Sequence, residues 1–168
     1  EPAVMADLQN TRNLSQAFYP EVKTSNFLNP ILGLLDVAHA PANQVLFLDK
    51  FQHVAECSTS NIFMVKKSVL STPPAKGILD GVTRRFVIDL AHQARLTVRE
   101  HAVTRHDLFN ADEVFLTNTS GEMIPVCMID GRSIGERIPG EVTRRLHAMF
   151  RQHIAKEIRH AQGETRAD

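Results

Sequence analysis

A mixed fold of strands and helices, α/β or α+β, is what this sequence predicts, and three observations predict it. Apolar residues recur at helical spacing in three separated segments, 26–40, 82–94 and 140–160. Short apolar or alternating runs of strand length lie between them, and no repeat or low-complexity tract interrupts the chain. With 168 residues and 43% hydrophobic content, one domain is the default. Such a chain buries about 70% of its unfolded surface without a disulfide or metal staple.

Residues 1–20 are polar, aperiodic and rich in Asn and Gln, which predicts an irregular lead-in. In 26–40, Phe27, Ile31, Leu34, Leu35 and Ala38 form a helical stripe, with Pro30 admissible only in the first turn. The run QVLFLD at 44–49 has strand length and apolarity, and NIFMV at 61–65 with 69–71 reads as a hairpin turning at 66–68. After Gly81 the period is clearest: Val82, Phe86, Val87, Leu90, Ala91 and Ala94 predict an amphipathic helix to about residue 94. Beyond it, 97–103 alternates, 105–110 has room for one helical turn, and 113–117 and 123–129 are strand-like. Val142, Leu146, Phe150 and Ile154 mark a terminal helix over 140–160, and 162–168 reads as a solvated tail.

The charge balance of 19 Lys+Arg against 19 Asp+Glu removes the driving force expected of a nucleic-acid binder, and no basic run restores it locally. No apolar run reaches the roughly 20 residues of a membrane span. The two cysteines, Cys57 and Cys127, are too few for a disulfide framework and lack metal spacing, so a reducing, cytoplasmic setting is expected. The first residue, Glu1, is not an initiator methionine, which suggests a processed product or a piece of something longer.

Most reactive residue types here have an inert reading. None of the eight histidines stands in an HExxH or an i, i+4 pair, so they read as surface residues and no metal is expected. Ser58, Thr59 and Ser60 lack the G-x-S-x-G elbow, and Cys57 has no activating base beside it in sequence. The stretch GILDGVTR at 77–84 offers more. Gly81 precedes a well-formed helix and leaves the Val82 and Thr83 amides at its positive end, where phosphate binds readily. Taken alone, Gly81 is equally a plain helix cap. A second hydroxyl-rich turn, TNTSG at 117–121, follows the strand-like EVFL, and the two turns could close on one phosphate.

These segments together resemble the class IV aminotransferases, the pyridoxal-phosphate enzymes of fold type IV. VKTSNFLN at 22–29 is similar to the family's K-x-x-N lysine segment, and VAECSTSNIF at 54–63 to its E-x-x-x-x-N-[IV]-F motif. TPP with GILDGVTR over 72–84, ADEVFLTNTSGEMIPV at 111–126, and IDGRSIG with PGEVTRRL over 129–146 follow in the family's order. The resemblance runs from about residue 22 to 150 and implies the cofactor-binding large domain, a mixed sheet or pseudo-barrel with flanking helices. It divides the chain into a lead-in or linker from a missing N-terminal domain (1–21), the large domain (22–160) and a solvated tail (161–168).

Carried over position by position, the resemblance implies that Lys23 forms the internal aldimine with pyridoxal 5′-phosphate and that Glu56 faces the pyridine nitrogen. Gly81, the Val82 and Thr83 amides and the Thr119 hydroxyl match the family's phosphate contacts. Leu79 matches the residue packed on one ring face, Thr59 lies where the other face is closed, and Ser120 and Gly121 match the turn that receives the substrate α-carboxylate. The implied reaction moves an amino group between an amino acid, most like a branched-chain one, and a 2-oxo acid, within a homodimer that uses no nucleic acid or membrane. A D-amino-acid aminotransferase or an aminodeoxychorismate lyase-like enzyme is the alternative, and a non-catalytic module of the same fold is a further one. The chain departs from the family pattern at Phe27, where many members carry an aromatic hydroxyl.

Overall fold

The computed structural model describes residues 4–7, 21–24, 27–39 and 42–164. Its strands are β1 (Val4–Asp7), β2 (Gln44–Leu48), β3 (Val54–Cys57), β4 (Asn61–Lys66), β5 (Val69–Thr72), β6 (Thr97–Glu100), β7 (Glu113–Asn118), β8 (Glu122–Ile129) and β9 (Arg132–Ser133). The helices are α1 (Leu28–Asp36), α2 (Val82–Gln93), α3 (Arg105–Phe109) and α4 (Glu141–Glu164).

Among the described residues the strands form one mixed sheet in the order β3-β2-β1-β8-β7-β4-β5-β6, with β9 paired to β8. An antiparallel bridge between Val54 of β3 and Val103, just beyond β6, brings the sheet's two ends together. The curled sheet encloses one core and presents its outer face to another. Along β4 and β7 the period-2 alternation divides the side chains cleanly. Ile62, Met64, Val114 and Leu116 point into the enclosed core with Leu46, Val54 and Val103. Phe63, Val65 and Phe115 face outward, where α2 and α4 cover them with Val87, Leu90, Leu146 and Phe150. Phe63 and Phe115 are register partners and stack with centroids 5.1 Å apart.

The predicted hairpin, the helix after Gly81 and the strands at 113 and 122 form as expected. Four expectations change. The lead-in contains β1, which lies parallel between β2 and β8. VMAD is too short to display a period, and a strand with neighbours on both sides need not alternate. Of the stripe predicted for α1, Leu34 packs partly buried against β2, but Phe27, Ile31 and Leu35 stay half or more exposed, and the buried positions are Gly33 and, just past the helix, Val37. An added Cβ on Gly33 would lie 2.8 Å from the Phe47 ring, so the close approach depends on glycine. The terminal helix runs on to Glu164, past the end expected near residue 160, through a stretch rich in Arg, Gln, Lys, Glu and Ala, strong helix formers. Finally, His147 is buried rather than a surface histidine.

Candidate active site

β5 leads through residues 73–81 into α2, which returns to β6, and β5 and β6 pair in parallel. This crossover sets the N-terminus of α2 beyond the carboxyl end of β5, the edge where sheets of this kind bind ligands. Gly81 is the helix cap at φ −65° and ψ 141°; no side chain caps the helix and no acid lies in its first turn. Val82 is exposed and Thr83 half-buried, so the first amides of α2 present an open positive end.

Hydrogen bonds fix the loop before α2 from several sides. Leu79 is clamped through its backbone: its N–H donates to Glu56 Oε2 at 3.1 Å and its carbonyl accepts from Asn61 Nδ2 at 2.7 Å. A Cβ on Gly81 would come within 2.4 Å of Asn61 Oδ1, so this close packing requires glycine. Arg84, 2% exposed, bonds Asp80 at 3.0 Å and the Pro73 carbonyl at 2.9 Å, and also pairs with Glu100. That guanidinium joins the loop, α2 and β6 into one unit.

Glu56, at the end of β3, has its carboxyl pushed up from 4.5 to about 7 by burial, against a smaller opposing pull from the Leu79 N–H. A carboxyl poised there takes or gives a proton near neutrality and suits a basic partner such as a ring nitrogen. Burial, and the Glu56 carboxylate next to it, push the Cys57 thiol up, so the inert reading of Cys57 holds. Beyond Cys57 the chain turns tightly, Cys57 N–H donating to the Ser60 carbonyl at 2.7 Å. Ser58 Oγ donates to Gln44 Oε1 at 2.9 Å, and Thr59 is exposed at the tip.

The second turn, between β7 and β8, is built around Asn118. Its Oδ1 accepts the Gly121 N–H at 2.5 Å, and its Nδ2 donates to Ser60 Oγ at 2.9 Å. Thr119 and Ser120 are exposed within this loop. Glu122 anchors it from behind, accepting from His147 at 2.8 Å and from Arg151 at 2.8 Å; the His147 bond foremost holds its carboxyl below the usual range. Thr117 is 2% exposed, and its hydroxyl has no partner among the described residues.

Glu56 and Leu79 are thus joined by a direct bond, and Asn61 and Arg84 hold the loop that runs through Gly81 into α2. Thr59 and the 119–121 turn join them through Ser60 and Asn118. Lys23 is exposed two residues after Glu21, whose carboxylate accepts the Gly77 N–H at 2.8 Å and ties the lysine's segment to the same loop. The Gly121 amide, expected to meet a substrate carboxylate, is occupied by Asn118 instead. Asn61, Arg84, Gln44 and Asn118 were given no role from the sequence. Asn61 left a signal as the fixed Asn of the E-x-x-x-x-N motif, and Asn118 as an Asn three residues before Gly in a hydroxyl-rich turn.

Comparison with known proteins adds a family. Residues 2–129 match the model of the family described as amino-transferase class IV. A presumed branched-chain-amino-acid aminotransferase of Methanocaldococcus jannaschii is 42% identical over 133 residues, 79% of this chain and 46% of that protein. The D-alanine aminotransferase of Bacillus licheniformis is 35% identical over 138 residues, 82% and 48% of the two. The crystal structure of the branched-chain amino acid aminotransferase of Thermobaculum terrenum in its PLP form superposes with a TM-score of 0.88 at 32% identity, covering 92% of this chain and 52% of that one. The chain spans about half the length of the relatives it matches.

Proposed function

The chain belongs to the class IV aminotransferases, and from that premise we propose that the protein moves an amino group between an amino acid, branched-chain first, and a 2-oxo acid, with pyridoxal 5′-phosphate as cofactor. One observation carries the reading: a carboxyl held near pH 7 by burial stands one hydrogen bond from the loop that opens into an uncapped helix N-terminus. The donor set fits the cofactor. The Val82 and Thr83 amides and the Thr119 hydroxyl suit its phosphate, Glu56 its pyridine nitrogen, Leu79 and Thr59 the two faces of its ring, and Lys23 its aldehyde. The Thr117 hydroxyl, without a partner among the described residues, stands near the end of β7 two residues before Thr119.

When bound, the cofactor supplies an electron sink in conjugation with the substrate Cα. The residues of the chain do the rest. Glu56 keeps the ring nitrogen protonated, and Lys23 Nζ removes the proton from the substrate Cα. Ser120, with the turn that Asn118 closes, orients the substrate carboxylate. The D-alanine aminotransferase among the relatives favours a second reading, action on D-amino acids. In either case the same proposal has the full-length protein working as a homodimer in the cytoplasm. The exposed apolar row of α1 carries no charged side chain from residue 28 to 35 and could face a second copy without like-charge repulsion.

Borohydride reduction of the cofactor-loaded full-length protein, with peptide mapping, is expected to label Lys23. A label on Lys50, Lys66, Lys67 or Lys76 overturns the assignment. Turnover of L-leucine against D-alanine separates the two substrate readings.

A further inference from the structure

The two turns that flank the candidate site lie on different connections, β3 to β4 and β7 to β8, and among the described residues the Asn118 side chain bonds one to the other. Asn118 Oδ1 accepts the Gly121 N–H at 2.5 Å and closes its own turn, while Asn118 Nδ2 donates to Ser60 Oγ at 2.9 Å and reaches the turn that follows Glu56. Ser60 is buried, and its backbone carbonyl already closes its turn with Cys57. On the far side of that turn Ser58 is tied to Gln44 of β2. The turn after Glu56 is therefore pinned from β2 and from β7, and Asn118 is the pin on the β7 side. Gly121 packs closely against both side chains: a Cβ there would lie 2.4 Å from Ile124 Cδ1 and 3.1 Å from Asn118 Oδ1.

We propose that Asn118 is a positioning residue: by bridging Gly121 and Ser60 it sets the distance between the Thr119–Ser120 anion turn and the Glu56–Thr59 segment. The inference deepens the reading above and rests on it. Taking up the Gly121 amide leaves the donors of Thr119 and Ser120, exposed on the same turn, as the ones the turn offers a ligand. Without the bridge the Thr119 turn would be joined to the rest through Glu122 and its own strands, and its donors would have to be ordered when the anion binds. The residue would then govern how well phosphate is held and how precisely the substrate carboxylate is oriented, with little effect on the ring nitrogen or on the lysine.

The test compares Asn118→Ala, Asn118→Asp and Ser60→Ala with the parent in the full-length protein, using pyridoxal 5′-phosphate and unphosphorylated pyridoxal as probes. Asn118→Ala is expected to weaken pyridoxal 5′-phosphate about tenfold, the cost of roughly one hydrogen bond to a charged group, and to leave pyridoxal within about twofold. Ser60→Ala breaks only the link between the turns and is expected to show part of the same selective loss. Asn118→Asp keeps the acceptor for Gly121 and can accept from the Ser60 hydroxyl, but sets a negative charge beside the anion turn, so it should restore the melting temperature and not the phosphate affinity. Equal losses for both probes, or a lowered melting temperature with both affinities unchanged, overturn the inference and leave the proposed function standing. A parent that binds neither probe overturns the proposed function and this inference with it.

Discussion

Along α2, Val87, Leu90 and Ala91 are buried against the sheet and α4, whereas along α1 Phe27, Leu28, Ile31, Leu32 and Leu35 remain 48–61% exposed. The two segments show comparable apolar periods in sequence. What separates them is connection: α2 is delivered by β5 and leaves into β6, so the crossover forces one face onto the sheet, and α4 then closes over it. α1 packs chiefly on β2, through a glycine and the small cluster of Val37, Val45 and Phe47. An apolar period announces that a face will be covered; the chain's topology decides what covers it. The contrast bears on chemistry. The loop that leads into Gly81–Thr83 is fixed at Leu79 by Asn61 and Glu56 and at Pro73 by Arg84. Lys23 precedes α1, and Glu21, two residues before it, accepts a bond from Gly77 in the 73–81 loop. A loop held from several sides suits the proposed reading, in which the phosphate stays anchored while Lys23 leaves and rejoins the cofactor.

Matched leucine truncations make the contrast measurable. Leu90 is 2% exposed within the cluster shared with Leu146 and Phe150. Leu90→Ala should cost about 4 kcal/mol by denaturant unfolding, the transfer and cavity terms adding in a site walled by two helices and a sheet. A loss below about 1 kcal/mol would mean that α2 is no better covered than α1.

A smaller effect isolates the electrostatics at Glu56. Because the Glu56 carboxyl is raised to about 7 from 4.5, the folded protein holds a proton between those values that the unfolded chain has lost. Stability must therefore fall as pH rises through that window and level off above it, by on the order of 3 kcal/mol for the shift of about 2.5 units. In protein stripped of cofactor, Glu56→Gln should remove this slope and leave the variant more stable than the parent at pH 8 and level with it near pH 4.5. A parallel slope in both proteins would place the titration elsewhere. Bound cofactor should shrink the effect, since the proton Glu56 gives up is then held by the ring nitrogen and the carboxylate is paired.

How much could be read from the sequence followed how local the signal was. The α2 stripe, the β4–β5 hairpin and the β7 and β8 runs each carry their period within about ten residues, and they formed where expected. β1 carries too few residues for any period, and its place between β2 and β8 is fixed by partners more than 30 residues away. At the candidate site, Glu56, Gly81 and Thr119 stand out in sequence because residue type and motif position coincide. Asn61 is a fixed motif position and Arg84 is not, but what either does could not be read, because it lies in where a side chain ends after folding: on the Leu79 carbonyl for one, on Pro73 and Glu100 for the other.

The smallest predicted effect is the most discriminating. Leu35 is 61% exposed, near the C-terminal end of the open row on α1. In the 168-residue chain Leu35→Ala should change stability by no more than about 0.5 kcal/mol, as for any surface substitution that leaves no cavity. In a full-length homodimer that covers the row, the same substitution removes buried apolar area. It should then weaken association, so that the melting temperature of the variant, and less so of the parent, falls on dilution. The two measurements together separate a helix that is open to water from one whose partner lies outside the described residues. A loss above about 2 kcal/mol in the 168-residue chain would show that α1 is already covered there, and the contrast with α2 would vanish. A loss within 0.5 kcal/mol in both, with no dependence on concentration, would leave α1 an exposed apolar helix and remove its support for a homodimer.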